Sequence, residues 1–153
     1  LVSRQRPPGN QVLVVAMCLF SVCVAACPSN VVADVIECAS ETEVQADAAI
    51  NDADDWQKLF DHFQAFGKCD DGALAESYSY RVADLLATHW DGINEMNRLS
   101  KMSAPFRAFI LRHVDSLMTP EQANAISKSV KTRCPPDAKS ICADLALAVN
   151  DSM

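Results

Sequence analysis

A chain of 153 residues with 20 acidic and 13 basic side chains, a formal charge of −7, suits one domain whose surface repels nucleic-acid backbone and anionic lipid. Half of the residues are hydrophobic, enough for a packed core, while no alternating apolar and polar run and no Asn-Gly turn speaks for a β-sheet. Seven cysteines set the remaining constraint.

At the amino end, Arg4 and Arg6 precede an apolar run from Val12 to Ala26 broken only by Ser21. A bilayer span takes about 20 residues, so the run is short for a membrane helix but suits the central region of a secretory signal. The plainer alternatives are a buried core helix or an uncleaved membrane anchor. Two processing patterns compete: Val24-Ala25-Ala26-Cys27 looks like a lipobox that would acylate Cys27, and Val31-Val32-Ala33 offers small residues for cleavage before Asp34. Residues 1–33 therefore read as a signal peptide or lipoprotein signal, and 34–153 as a helical domain. Removing the first 26 residues takes away Arg4 and Arg6 and no acid, so 11 basic residues against 20 acidic ones leave −9. Such a surface favours a basic protein partner, or simply keeps an exported domain soluble.

Cys18 and Cys23 fall in the signal, and Cys27 is lipidated or removed with it. Cys38, Cys69, Cys134 and Cys142 remain, an even number that reads as two disulfides in an oxidising compartment. Three connectivities are open; Cys38–Cys69 with Cys134–Cys142 is preferred, because each bond then closes a segment between neighbouring helices. The longer loop would contribute roughly 3.5 to 4 kcal/mol and the shorter about 2.5 kcal/mol in the chain-entropy model. The absence of Cys-x-x-Cys and of any close Cys/His pair argues against zinc.

Val31 to Ala39 suits a short helix with Cys38 near its end. Ser40 and Thr42 then offer overlapping helix starts, with Glu43 and Gln45 three residues on to complete a capping box before a small-residue helix to about Ile50. Asn51 to Asp55 is acidic but lacks the turn glycine and closing glutamate of a calcium loop. Its aspartates suit the positive end of the next helix. That helix carries Trp56, Leu59, Phe60, Phe63 and Phe66 on one face, and Gly67 is expected to close it in a left-handed conformation.

The stretch from Cys69 to Trp90 predicts the longest helix of the domain, about twenty residues or roughly 30 Å. Asp70 or Asp71 caps it, and Leu74, Tyr78, Val82, Leu85, Leu86 and His89 or Trp90 follow one face. Ile93, Met96 and Leu99 mark a short helix after Asp91 and Gly92. Ser103-Ala104-Pro105 opens another, containing Phe106, Phe109, Ile110, His113, Val114 and Leu117. Thr119-Pro120-Glu121-Gln122 is the sharpest start, followed by Ala123, Ile126 and Val130, with Lys128, Lys131 and Arg133 at the negative end of the helix. Cys134-Pro135-Pro136 stops it, and a last helix from about Asp137 to Val149 carries Ile141, Leu145 and Val149. The fold class is thus all-α: a single compact, disulfide-stapled domain of six or seven short helices.

Catalytic motifs are scarce. Of the three histidines, His62, His89 and His113, none has another at i+3 or i+4, so no helix face presents paired metal ligands. His113 and Asp115, like His89 and Asp91, are two apart, which on a helix sends them to different faces. There is no Gly-x-Ser-x-Gly elbow, and Asp70, Asp71 and Glu76 are explained by capping and solvation. No catalytic residue, metal ligand or cofactor is assigned. Arg112, beside His113 in an otherwise apolar helix, is expected to pair with Glu76 or Asp84; an ordinary surface pair is the plain outcome and a buried bridge the informative one. A binding seam is accordingly placed between the 70–90 and 104–117 helices, made of Arg112, His113, Tyr78, Glu76 and Asp84.

CDDGALAE at Cys69 to Glu76, FRAFILRHVD at Phe106 to Asp115 and CPPDAKSIC at Cys134 to Cys142 together resemble a family of uncharacterised small exported bacterial helical proteins. The resemblance covers about Ala33 to Leu147 and implies a helical exported fold, with no activity to transfer. From composition and class, the expected function is an exported bacterial envelope protein, periplasmic or lipid-anchored, that acts by protein binding as an immunity or inhibitor protein. The alternative is a small periplasmic enzyme or ligand-binding protein with its site on the seam. Contact with nucleic acid is not expected, and contact with membrane only through the signal or a lipid.

Overall fold

The computed structural model describes Cys38 and residues 40–153. The signal segment 1–33, its apolar run, both cleavage patterns, Cys27 and all but Cys38 of the helix expected over 31–39 lie outside these residues. Seven α-helices follow: α1 Ser40–Ala49, α2 Trp56–Phe66, α3 Gly72–Thr88, α4 Ile93–Met102, α5 Ala104–Arg112, α6 Pro120–Arg133 and α7 Lys139–Ser152. No strand occurs among the described residues, and the all-helical, compact class expected from the periodicity is the one observed. None of the described helices is long and apolar enough to cross a membrane.

Side-chain caps define the starts of α2, α3, α5 and α6, whereas α4 and α7 begin without one and, among the described residues, the capping box expected at Ser40 or Thr42 is not seen at α1. Asp55 accepts from the Lys58 N–H at 2.8 Å, Asp54 pairs with Lys58 at 2.6 Å, and the Asn51 carbonyl accepts from Arg81, so the acidic run serves as helix entry. Thr119 and Gln122 complete a reciprocal capping box. Ser103 caps α5 by accepting from the Phe106 N–H. At the start of α3 the duty falls to Asp71, whose side chain accepts from the Gly72 N–H at 2.7 Å. Asp70 is left to turn elsewhere.

Several boundaries differ from expectation. Gly67 is right-handed at φ −63°; a glycine is needed there because a Cβ would stand 2.7 Å from the Phe63 ring. The left-handed glycine is Gly72, at φ 52°. With 17 residues α3 spans about 25 Å, and it ends before His89, which is exposed while Trp90 is buried. Helix α5 stops at Arg112 rather than continuing to Leu117: the Val114 N–H bonds the Leu111 carbonyl three residues back in place of the Ile110 carbonyl four back. Phe63 and Phe66 pack against the core but are only partly buried.

One apolar cluster joins all seven helices, with Leu74, Tyr78, Val82, Leu85 and Leu86 of α3 inside it. Helix α3 lies against α1 and α6, α4 against α2 and α5, and α6 against α7. An aromatic group links α2, α3 and α5: ring centroids are 4.9 Å apart for Phe60 and Phe106, 4.8 Å for Phe63 and Phe109, and 4.7 Å for Tyr78 and Phe109. Edge contacts of this kind add to the area they bury. The disulfides are Cys38–Cys69 and Cys134–Cys142, with Cα separations of 5.4 and 6.3 Å. The first ties the chain ahead of α1 to the turn before α3, and the second joins the end of α6 to α7. Such bonds belong to an oxidising compartment.

Candidate functional site

Three pieces of chain converge where α5 ends. Asp70 comes from the turn fixed by Cys69, Tyr78 and Ser79 from α3, and Arg112, His113 and Asp115 from α5 and the chain just beyond it. His113 Nε2 lies 3.0 Å from Asp70 Oδ2, and its Nδ1 lies 2.9 Å from Ser79 Oγ. The Ser79 hydroxyl also stands 2.6 Å from Asp115 Oδ2 and 3.1 Å from the Ala75 carbonyl. The Arg112 guanidinium donates to the same Asp70 oxygen. The imidazole is walled by Phe109 and Tyr78, at ring-centroid distances of 4.6 and 5.5 Å.

These distances constrain the protons. Ser79 has one hydroxyl proton for three acceptors, and the nearest is the charged one, Asp115. With that proton turned to Asp115, Ser79 Oγ is an acceptor toward His113 Nδ1, as Asp70 Oδ2 is toward Nε2. Burial, with the Arg112 guanidinium alongside, pushes the His113 imidazole down to about 4, against a smaller upward pull from Asp115. At neutral pH the ring is therefore neutral, and its single N–H is shared between two acceptors, Ser79 Oγ and Asp70 Oδ2. Its Nε2 faces Asp70, and Arg112 supplies the positive charge there.

A second histidine locks the other side of α3. His62 Nε2 lies 2.9 Å from the Ala46 carbonyl, which can only accept, so this nitrogen carries the proton and Nδ1 accepts from the Tyr78 O–H at 2.9 Å. Burial lowers the His62 pKa, opposed by the Ala46 carbonyl, and burial raises that of Tyr78. One relay thus joins α1, α2 and α3 through two neutral groups.

Of the five seam residues expected from sequence, Arg112, His113 and Tyr78 come together and two do not. Glu76 is exposed, and Asp84 pairs with Arg81 one turn back on its own helix at 3.6 Å. The partner of Arg112 is Asp70, because Asp71 takes the cap and frees Asp70 to turn inward, where its side chain is 4% exposed. His113 and Asp115 also converge on one hydroxyl despite their spacing of two, since the helix has ended and its face rule no longer applies. Sequence reasoning missed Asp70, Ser79 and Asp115 as members. The doubled aspartate was one available signal. The other was the buried row Ser79, Val82, Ala83 and Leu86, at helical spacing beside the Tyr78 stripe.

Serine, histidine and aspartate are the types a hydrolase uses as nucleophile, base and orienting acid. Here Ser79 is 2% and His113 3% exposed, and the hydroxyl proton is committed to Asp115 rather than to the imidazole. The arrangement fastens α3, the Cys69 turn and the end of α5 to one another. Its loose end is Asp70 Oδ1, a buried oxygen without a partner among the described residues. Among the described residues no group of three or more His, Cys, Asp or Glu side chains is placed to hold a metal ion. Surface clefts open beside α1 and α3 and beside the end of α7; Asp115 borders the latter, but their linings include none of Ser79, Tyr78, Arg112 and His113. No protein-family model, no curated protein and no solved structure matches this chain.

Proposed function

We propose that this is an exported bacterial envelope protein that acts by binding another protein, as an immunity or inhibitor protein against a basic partner. The observation that carries the reading is the burial of Ser79, His113 and Asp70: the groups best suited to catalysis are engaged in holding helices together. Two disulfides add rigidity suited to a preorganised binder outside the cytoplasm. An excess of acid over base, 20 against 13, steers association with a basic surface. The finer location, free in the periplasm or held by lipid on Cys27, belongs to the same proposal, as does the likeness to small exported helical proteins.

The test is genetic and biochemical together. Deleting the gene is expected to sensitise the cell to the product of a neighbouring reading frame, and the purified protein to bind that product. Unchanged sensitivity, with no envelope protein retained by the immobilised chain, would sink the proposal. The second reading, an enzyme or ligand-binding protein on the α3–α5 seam, draws on the gathering of Ser79, His113 and Asp70 and requires the seam to open. Solvent exchange at the His113 ring as fast as at exposed His89 would favour it.

A further inference from the structure

Helix α1 and the first three turns of α3 lie side by side with a valley between them. Two clefts run along it in line. One is bordered by Glu43, Val44, Asp47 and Asp71; the other, at the turn that follows α1, by Asn51, Tyr80, Arg81 and Asp84. A hydrogen bond from the Ser77 hydroxyl to Asp47, 2.5 Å long, crosses the floor between them. Two large apolar side chains stand out of this valley into solvent, Val44 at 70% and Tyr80 at 55% exposure. Core packing accounts for neither.

The charges on the rim are unbalanced. Asp71 complements the positive end of its own helix and is set aside. Among the described residues Glu43 makes no ion pair, and Asp47 is held by an uncharged hydroxyl. Asp84 shares Arg81 with the Asn51 carbonyl. Three carboxylates therefore face one guanidinium, with an apolar residue beside each cleft. From Gly72 to Asp84 the valley runs along α3 for about 18 Å, the length of three turns of helix.

We propose that the α1–α3 valley is the docking surface for a cationic amphipathic segment of a partner protein. Its basic residues would meet Glu43, Asp47 and Asp84, and its apolar residues would cover Val44 and Tyr80, as in recognition of a helix by a groove. The inference rests on the protein-binding reading above and names the surface through which it works. The seam at His113 is then support behind this face rather than the contact itself.

The probe is a synthetic Leu/Lys amphipathic peptide of about 12 residues, matched in length to the valley, with its Leu/Glu counterpart as control. Amide shifts of the full disulfide-bonded chain are recorded with each at low and high salt. The Lys peptide is expected to shift residues 43–51 and 72–84, with affinity falling as salt rises, and the Glu peptide to shift nothing. Glu43→Lys with Asp84→Lys is expected to weaken binding by about tenfold or more, while Glu121→Lys with Asp151→Lys leaves it within about twofold. Val44→Ser with Tyr80→Ser alters no charge and is expected to weaken it several-fold, which covers the case of a charge variant that does not fold. Binding centred elsewhere and untouched by these changes would overturn the surface while leaving the protein-binding reading intact. No binding of the Lys peptide anywhere would overturn both the surface and the basic partner.

Discussion

His113 Nε2 lies 3.0 Å from Asp70 Oδ2, and both side chains are 4% exposed. A neutral imidazole held against a carboxylate in the interior, with Arg112 on the same oxygen, ties stability to pH. Burial places the His113 pKa at about 4, below the 6.5 of an unfolded chain, so the unfolded state takes up its proton first as pH falls. The stabilisation is complete above pH 6.5 and is lost as pH drops toward 4. By pH 5 the loss from this group alone is about 2 kcal/mol. His62 acts in the same direction. Urea denaturation at pH 7 and pH 5 is expected to show the difference, and His113→Gln to flatten it. A chain as stable at pH 5 as at pH 7 would defeat the assignment.

Removing Arg112 should act through Asp70. The guanidinium is 60% exposed, which tempers the effect, yet the carboxylate it answers is buried. Arg112→Ala is expected to cost about 1–2 kcal/mol, more than a typical exposed ion pair. It should also raise the His113 pKa, because the Arg112 charge is one of the causes holding it down. Denaturation together with an imidazole titration of the variant checks both. A cost without an upward shift would mean that Arg112 is not acting on the ring.

The two disulfides should be unequal. Cys38–Cys69 closes a separation of 31 residues and Cys134–Cys142 one of 8. Replacing each pair by serine is expected to cost about 3.5 to 4 and about 2.5 kcal/mol respectively. Hydrogen exchange near Ser79 should rise in the first variant only, since Cys69 anchors the turn that delivers Asp70. Equal losses, or a quiet Ser79 region, would contradict this account.

Two glycines should respond for different reasons. Gly72→Ala meets open space but sits at φ 52°, so backbone strain costs about 1 kcal/mol. Gly67→Ala has ordinary backbone angles but presses on the Phe63 ring and is expected to disturb the Phe63 and Phe109 contact. Thermal unfolding with aromatic proton spectra separates the cases. Unchanged ring shifts in Gly67→Ala would remove the steric argument.

The helices were legible because apolar stripes and caps agreed. Thr119 with Gln122 and Ser103 with Pro105 stand where their chemistry requires, and the preferred cysteine pairing matches the observed one. The end of α5 was not legible, since the stripe runs on through Val114 without a glycine or proline to mark the turn at His113. That ending also hid the site. A rule valid only inside a helix separated Asp115 from His113, and capping chemistry, satisfied by either aspartate of the pair, concealed Asp70. Tyr78 and Arg112 were noticed as polar groups on apolar stretches. Their partners, His62 and Asp70, come from segments whose approach depends on tertiary packing and on the Cys38–Cys69 bond.

The measurement that bears most directly on the sealed seam is a pH titration of the imidazole nitrogen resonances in the wild-type chain. The account predicts a His113 ring that is neutral at pH 7 and titrates near about 4. A ring that titrates at or above 6.5 would contradict it and return the seam to consideration as an accessible site.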